Sequence, residues 1–150
     1  MSSLLRRLIG DRQTLVTLAL LILAYLLFKG AGGGMAAVSG GSMEPSLHSG
    51  DLVFIIKSDD VRRGDIIVFR SGEGYVIHRV VDVYSLDGKK CYVTQGDNNS
   101  FPDLGSQRCA EPGRTYYGIP EDFVVGVVIE FLGLPVKIPY VGSLALLTRG

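Results

Sequence analysis

Tyr75-Val76-Ile77-His78-Arg79-Val80-Val81-Asp82-Val83-Tyr84 is the stretch whose reading decides the fold class. Valine, isoleucine and tyrosine suit a pleated, half-buried surface. With a period of two residues, Val76, His78, Val80 and Asp82 share one face, and Ile77, Arg79, Val81 and Val83 share the other. Runs of the same style recur at Leu52 to Ile56, Ile66 to Phe69, Cys91 to Thr94 and Phe123 to Phe131. Gly126 inside the last run signals a bulge or a close backbone approach. Turn signals separate the runs: Gly72-Glu73-Gly74, Asp87-Gly88, Gly96-Asp97-Asn98-Asn99 and Pro112-Gly113. The spacing predicts a mainly β domain, a coiled antiparallel sheet that is barrel-like or a sandwich. Val136 to Leu147, with Pro139 and Gly142 inside, reads either as a last strand or as a short membrane-touching tail.

Upstream the pattern is different. Thr14 to Phe28 is apolar and uncharged. At about 1.5 Å per residue it covers roughly 22 Å, against about 30 Å of hydrocarbon. Extension toward Val38 would lengthen it, but Gly30 and Gly32 to Gly34 weaken a helix there. The readings are a membrane anchor, a cleavable signal peptide or a buried soluble helix. Arg6, Arg7 and Arg12 before the segment and Lys29 after it favour an anchor with a cytoplasmic N-terminus. Gly30 to Gly41 reads as a flexible connector.

The chain has 150 residues, enough for one domain with a core, and 15 basic against 15 acidic side chains. That balance provides no broad basic field to gather nucleic acid. Cys91 and Cys109 are too few for a zinc ribbon. They pair if this region lies in an oxidising compartment, and are two free thiols otherwise.

A candidate nucleophile lies in Gly40-Gly41-Ser42-Met43-Glu44-Pro45-Ser46-Leu47-His48-Ser49-Gly50-Asp51. The glycines allow unusual backbone angles and the close approach of a substrate chain, and Pro45 fixes the backbone soon after the serine. A plain glycine-serine loop is the alternative. The chain has two histidines, His48 and His78. A strand holds His78 rigidly, which suits a base whose ring must be aimed, and imidazole titrates near neutrality. A structural histidine is the other reading. Asp97 and Asp103 are the candidate acids to orient an imidazole, or else they cap turns. A calcium loop fails for want of the ligand spacing.

Taken in order, these pieces resemble type I signal peptidases of the archaeal and endoplasmic-reticulum branch. The matching segments are the apolar segment, Gly41 to Leu47 with Gly50-Asp51, Arg63 to Phe69, Ile77-His78-Arg79-Val80-Val81, and Gly96 to Asn99 with Asp103. Val124-Val125-Gly126 and Ile138 to Gly142 match the closing segments. The resemblance implies Ser42 as nucleophile and His78 as general base in place of the lysine of the usual bacterial branch. It implies Asp103 as the acid that orients His78, and Asp97 as a second acid that holds the Asp103 loop or adds to the charge network. Gly40 stands where some bacterial members carry an oxyanion-donating serine, so backbone N–H groups take that work. Pro102 before Asp103 departs from the acidic dipeptide of the reticulum members.

The implied activity is removal of N-terminal signal peptides from exported proteins by cutting after small residues. The expected organisation is an anchor with its connector over residues 1–36, a serine peptidase domain over 37–142 and an apolar tail over 143–150. Expected partners are secretory precursors, the lipid bilayer and the translocation machinery. No nucleic acid, metal or cofactor is implied. The expected location is the cell membrane, single-pass, with the domain outside the cytoplasm. Met43 and the neighbouring strand starts are expected to touch lipid. A paired Cys91 and Cys109 would close the loop that holds both acids. The competing readings are a self-cleaving regulator of the related serine-lysine fold, which lacks its lysine here, and a membrane-anchored β-domain that binds exported peptides without cutting them.

Overall fold

A computed structural model describes residues 12–72, 74–86, 88–103, 108–111 and 114–147. The chain divides into two compact units, Met1–Gly33 and Gly34–Gly150. The first is built on helix α1 (Arg12–Gly30), which buries none of its residues. It is the one described helix long and apolar enough to cross a membrane. Its 19 residues span about 28 Å, close to a hydrocarbon core, because Arg12, Gln13, Lys29 and Gly30 join the apolar run. The helix stops at the glycines instead of extending toward Val38. Gly32 takes φ +71°, its N–H donates to the Lys29 carbonyl, and the Gly33 N–H donates to the Phe28 carbonyl. This is a Schellman closure, and a side chain at Gly33 would lie 2.4 Å from the Phe28 carbonyl oxygen.

The second unit runs through β1 (Gly34–Ala37), β2 (Leu52–Ile56), β3 (Ile66–Ser71), β4 (Gly74–Leu86), β5 (Lys89–Gln95), β6 (Arg108–Glu111) and β7 (Arg114–Tyr117). It continues through β8 (Ile119–Pro120), a 3-10 turn at Glu121–Phe123, β9 (Val124–Val128), β10 (Glu130–Phe131), β11 (Leu134–Pro135), β12 (Lys137–Ile138) and helix α2 (Gly142–Leu147). The main sheet has the order β1-β2-β9-β3-β4-β5-β8, with β12 also paired to β2, and every pairing is antiparallel. The hairpins β6–β7 and β10–β11 stand apart from it. The fold is mainly β, as expected, but the sheet stays open with β1 and β8 at its ends. The Gly30–Gly41 connector is not wholly irregular, since Gly34 to Ala37 pairs with β2. The C-terminal apolar stretch divides in two: a short last strand, β12, paired with β2, and helix α2. The expected turn residues Glu73, Asp87, Pro112 and Gly113, and the tail end at 148–150, lie outside the described residues.

The sheet is covered on both faces. In β3, Ile66 and Val68 join one core cluster with Val38, Met43, Leu47, Val53, Ile55 and Val128. Ile67 and Phe69 join the other with Val61, Val80, Tyr92 and Ile119. The alternation read in β4 holds for His78 and Val80, which are buried, and fails at Asp82, which is exposed. The register slips there: Val80 faces Thr94 and Asp82 faces Val93. The extra residue moves Val83, not Asp82, onto the core face with Val76 and Val80. Gly126 lies beside a second irregularity, opposite Val68 and Phe69 in β3. An added Cβ would lie 2.8 Å from the Ile56 carbonyl oxygen, so close backbone approach explains this glycine.

Cys91 and Cys109 are bonded, 18 residues apart. Gly118 makes room for the bridge, since a Cβ there would lie 2.6 Å from Cys91 Sγ. By chain entropy such a closed loop stabilises by about 3 kcal/mol. Replacing both cysteines with serine is expected to lower unfolding free energy by about that amount, read by linear extrapolation to water, with the slope rising because the freed denatured chain exposes more surface.

Candidate active site

Ser42 sits in a coil of turns between β1 and β2. Gly40 opens it at φ +86°, a conformation that favours glycine. The Glu44 N–H donates to the Gly41 carbonyl and the Leu47 N–H to the Met43 carbonyl. Met43 and Leu47 are 1% and 0% exposed, so they fasten the coil to the core. The expectation that Met43 touches lipid is therefore wrong: its side chain is spent on holding the serine loop.

His78 is buried on β4, opposite Ile67, with its ring edge-on to Phe69. Its Nε2 lies 3.0 Å from Ser42 Oγ, and its Nδ1 lies 2.5 Å from Asp103 Oδ2. An ionised carboxylate only accepts, so Nδ1–H donates to Asp103 and leaves the Nε2 lone pair facing the serine hydroxyl. Asp103 is itself held by Thr94. The threonine hydroxyl donates to Oδ2 at 2.7 Å, and the Asp103 N–H donates to the Thr94 carbonyl at 2.7 Å. The second histidine, His48, is exposed and joins through its backbone alone, donating to Asp51 Oδ2.

Asp97 is bound to a different partner. Arg79 donates from Nε to Oδ1 and from Nη2 to Oδ2, both at 2.8 Å. Arg79 also donates to the Gly64 carbonyl at 2.8 Å and to Ser46 Oγ at 3.4 Å, and its Nη1 lies 3.6 Å from Glu130 Oε1. Burial pushes the Asp97 carboxyl up, but the Arg79 fork and the Ser46 hydroxyl outweigh it and hold the group below the usual carboxylate range. The same fork raises Arg79. The acid loop also grips the serine loop directly. The Asn98 N–H donates to the Ser42 carbonyl at 2.8 Å, and Asn98 Nδ2 donates to the Gly41 carbonyl at 3.1 Å. A Cβ at Gly96 would lie 2.5 Å from the Ser42 carbonyl oxygen.

Thus Ser42, His78 and Asp103 are joined in one hydrogen-bonded chain, and Asp97 stands beside it through Arg79. Sequence reading missed Thr94 and Arg79 as parts of the site, although both were visible as polar residues in apolar strands. A cleft of about 750 Å³ opens beside Ser42 and His78, walled by Met35, Ala36 and Ala37 of β1 and by Val68, Tyr75 and Ile77. The described residues hold no cluster of metal-binding side chains.

The tight contact between the two loops makes Gly96 sensitive to substitution. Gly96→Ala is expected to cost about 1–3 kcal/mol of stability, because the Ser42 backbone must shift, and to lower turnover in the protein that still folds. Thermal unfolding and steady-state cleavage assays check both parts. Because the folded Asp97 value is depressed, its stabilisation is complete above the ordinary carboxylate pKa of about 3.9 and is lost as pH falls through the lower folded value. The stability gap between wild type and Asp97→Asn should therefore hold from pH 7 to about pH 5 and narrow below about pH 4, read by urea unfolding across pH.

A Peptidase S24-like family model matches residues 18–109. The signal peptidase complex catalytic subunit SEC11C of Homo sapiens is 34% identical over 140 residues, covering 89% of this chain and 67% of that protein. The Mus musculus SEC11C matches to the same extent, 34% over 140 residues. The sec11 catalytic subunit of Dictyostelium discoideum is 31% identical over 111 residues, covering 71% of this chain and 59% of that protein. With its mainly β domain and its apolar N-terminal helix, the chain belongs to the Peptidase S24-like serine proteases, among the type I signal peptidases of the endoplasmic-reticulum type.

Proposed function

We propose that this chain removes signal peptides from exported precursors with a Ser42-His78-Asp103 triad. The observation that carries the reading is the hydrogen-bonded chain from Ser42 Oγ through His78 to Asp103. A serine hydroxyl is a weak nucleophile until a base takes its proton. His78 Nε2 accepts that proton as Oγ attacks the scissile carbonyl carbon. The imidazolium so formed is steadied by Asp103 through Nδ1–H, and Thr94 keeps the carboxylate aimed. His78 then gives the proton to the departing amine, and the acyl-enzyme at Ser42 is hydrolysed by water with His78 again as base. The developing oxyanion is met by backbone donors, the Ser42 N–H among them, since Gly40 offers no hydroxyl. Asp97 acts through Arg79, holding the acid loop and the serine loop at one spacing.

The substrate lies extended in the cleft, adding a strand beside β1, whose described pairing is with β2 alone. Ala36 and Ala37 leave room for the backbone of a second chain, and the apolar walls suit small apolar side chains before the cut. The helix α1 is the membrane anchor, with Arg6, Arg7 and Arg12 on the cytoplasmic side and the β-domain outside the cytoplasm, in the cell membrane. The disulfide fits that compartment. Secretory precursors are the substrates, the lipid bilayer holds enzyme and substrate in one plane, and the translocation machinery delivers the precursor.

Cleavage of a signal-bearing precursor in detergent by full-length variants tests the assignment. Ser42→Ala and His78→Ala are each expected to lose at least about 10³-fold in kcat, and Asp103→Asn on the order of 10²–10⁴-fold, with folding retained. Asp97→Asn is expected to lose less than Asp103→Asn. An imidazole base must be unprotonated, so kcat/KM should fall as pH drops from 8 to about 5. A flat profile over that range, or full activity in Ser42→Ala, would sink the reading.

A further inference from the structure

The coil that carries Ser42 is braced at its far end by a buried charge. Asp51 is 2% exposed, and its Oδ2 accepts from Lys137 Nζ at 2.7 Å and from the His48 N–H at 3.0 Å. The same ammonium donates to the Ser46 carbonyl at 3.0 Å. One cation therefore ties both ends of the Ser46 to Asp51 segment. Lys137 comes from β12, 86 residues beyond Asp51, and is fixed by pairing with Val53 of β2. The chain after it has no slack. A Cβ at Gly142 would lie 2.6 Å from the Asp51 carbonyl oxygen and 2.9 Å from that of Gly50.

This brace reaches the reacting atoms through the coil. Its two internal hydrogen bonds, Glu44 to Gly41 and Leu47 to Met43, make residues 41–47 move together. A shift of the Ser46 carbonyl is passed to Ser42, whose Oγ sits at 3.0 Å from His78 Nε2 and leaves hydrogen-bond range with a displacement of about 1 Å. Met43 and Leu47 already anchor the coil in the core. Asn98 holds the Gly41 and Ser42 carbonyls and Arg79 the Ser46 hydroxyl, and Lys137 adds the hold on the Ser46 carbonyl from the opposite end of the coil.

We propose that Lys137 is a positioning residue for the reaction at Ser42, acting through the Ser46 carbonyl and the Asp51 carboxylate. The proposal rests on the reading of Ser42 as nucleophile. Lys137 touches neither substrate nor triad; it sets where the serine hydroxyl stands.

The test compares full-length wild type with Ser42→Ala, Lys137→Met, Lys137→Arg and the double variant Lys137→Met/Asp51→Asn. Precursor cleavage gives kcat and KM, measured well below the unfolding midpoint of each protein. Lys137→Met is expected to lower kcat by about 10- to 100-fold and to leave KM within about threefold, since misplacement by about 1 Å costs rate more than binding. Lys137→Arg keeps a charged donor and is expected to recover part of the loss. The double variant leaves no unpaired buried charge, so it folds where Lys137→Met fails to, and its kcat is expected to stay low because the Ser46 carbonyl still lacks its donor. A folded Lys137→Met or double variant with wild-type kcat, or a loss confined to KM, overturns the proposal. If Ser42→Ala is inactive in that event, the Lys137 role alone falls; if Ser42→Ala is active, the nucleophile assignment falls with it.

Discussion

The site depends on the forked ion pair between Arg79 and Asp97. Neighbouring residues on a strand point to opposite faces, so His78 and Arg79 leave β4 in opposite directions. Each nevertheless meets an acid from the same loop, Asp103 for His78 and Asp97 for Arg79. That is possible because the chain leaves β5 after Gln95, curls past β4 and returns, so that the Asp103 N–H binds the Thr94 carbonyl. Arg79 adds Gly64 and Ser46 to the same assembly. A planar guanidinium can serve several acceptors at fixed angles, which a single ammonium cannot do in the same way. The pair is mostly shielded from water, with side chains 28% and 15% exposed, so it acts in a medium where its attraction is little screened.

In the proposed function, the cleft and the anchor serve one purpose in chemical terms. A backbone edge with small side chains accepts an extended peptide whatever its sequence, and the walls decide which side chains fit. Confinement of both chains to a bilayer raises their effective concentration without any added contact. Weak, tolerant recognition of many precursors then suffices.

The strands from Leu52 to Thr94 were legible because β-branched runs bounded by Gly-Asp turns leave little alternative. Ser42, His78, Asp97 and Asp103 were legible through an ordered family pattern that already implied Asp103 as the partner of His78, and the structure puts those two side chains 2.5 Å apart. Alternation failed at Asp82 because a bulge inserts Val81, and no residue type there announces it. Met43 was misread because an exposed-looking loop residue can be turned into the core by its own coil. The open sheet was not foreseeable, since closure depends on whether the terminal strands meet. Lys137 was hidden for a related reason: its partner, Asp51, lies 86 residues away, and a lone lysine between apolar residues reads as solvent-facing.

The hydrogen-bonded chain at the site joins residues separated by 36 and by 25 positions, taken from a coil, a strand and a loop. No local segment contains two of its members. Such non-local contacts carry the loop-closure entropy of the intervening chain. On the proposed triad, a partly folded copy of this polypeptide has a hydroxyl without its base and an imidazole without its carboxylate, although all three groups are already present in the covalent chain. Proteolytic competence would then arrive only with the completed sheet, and topology would serve as a safeguard during biogenesis.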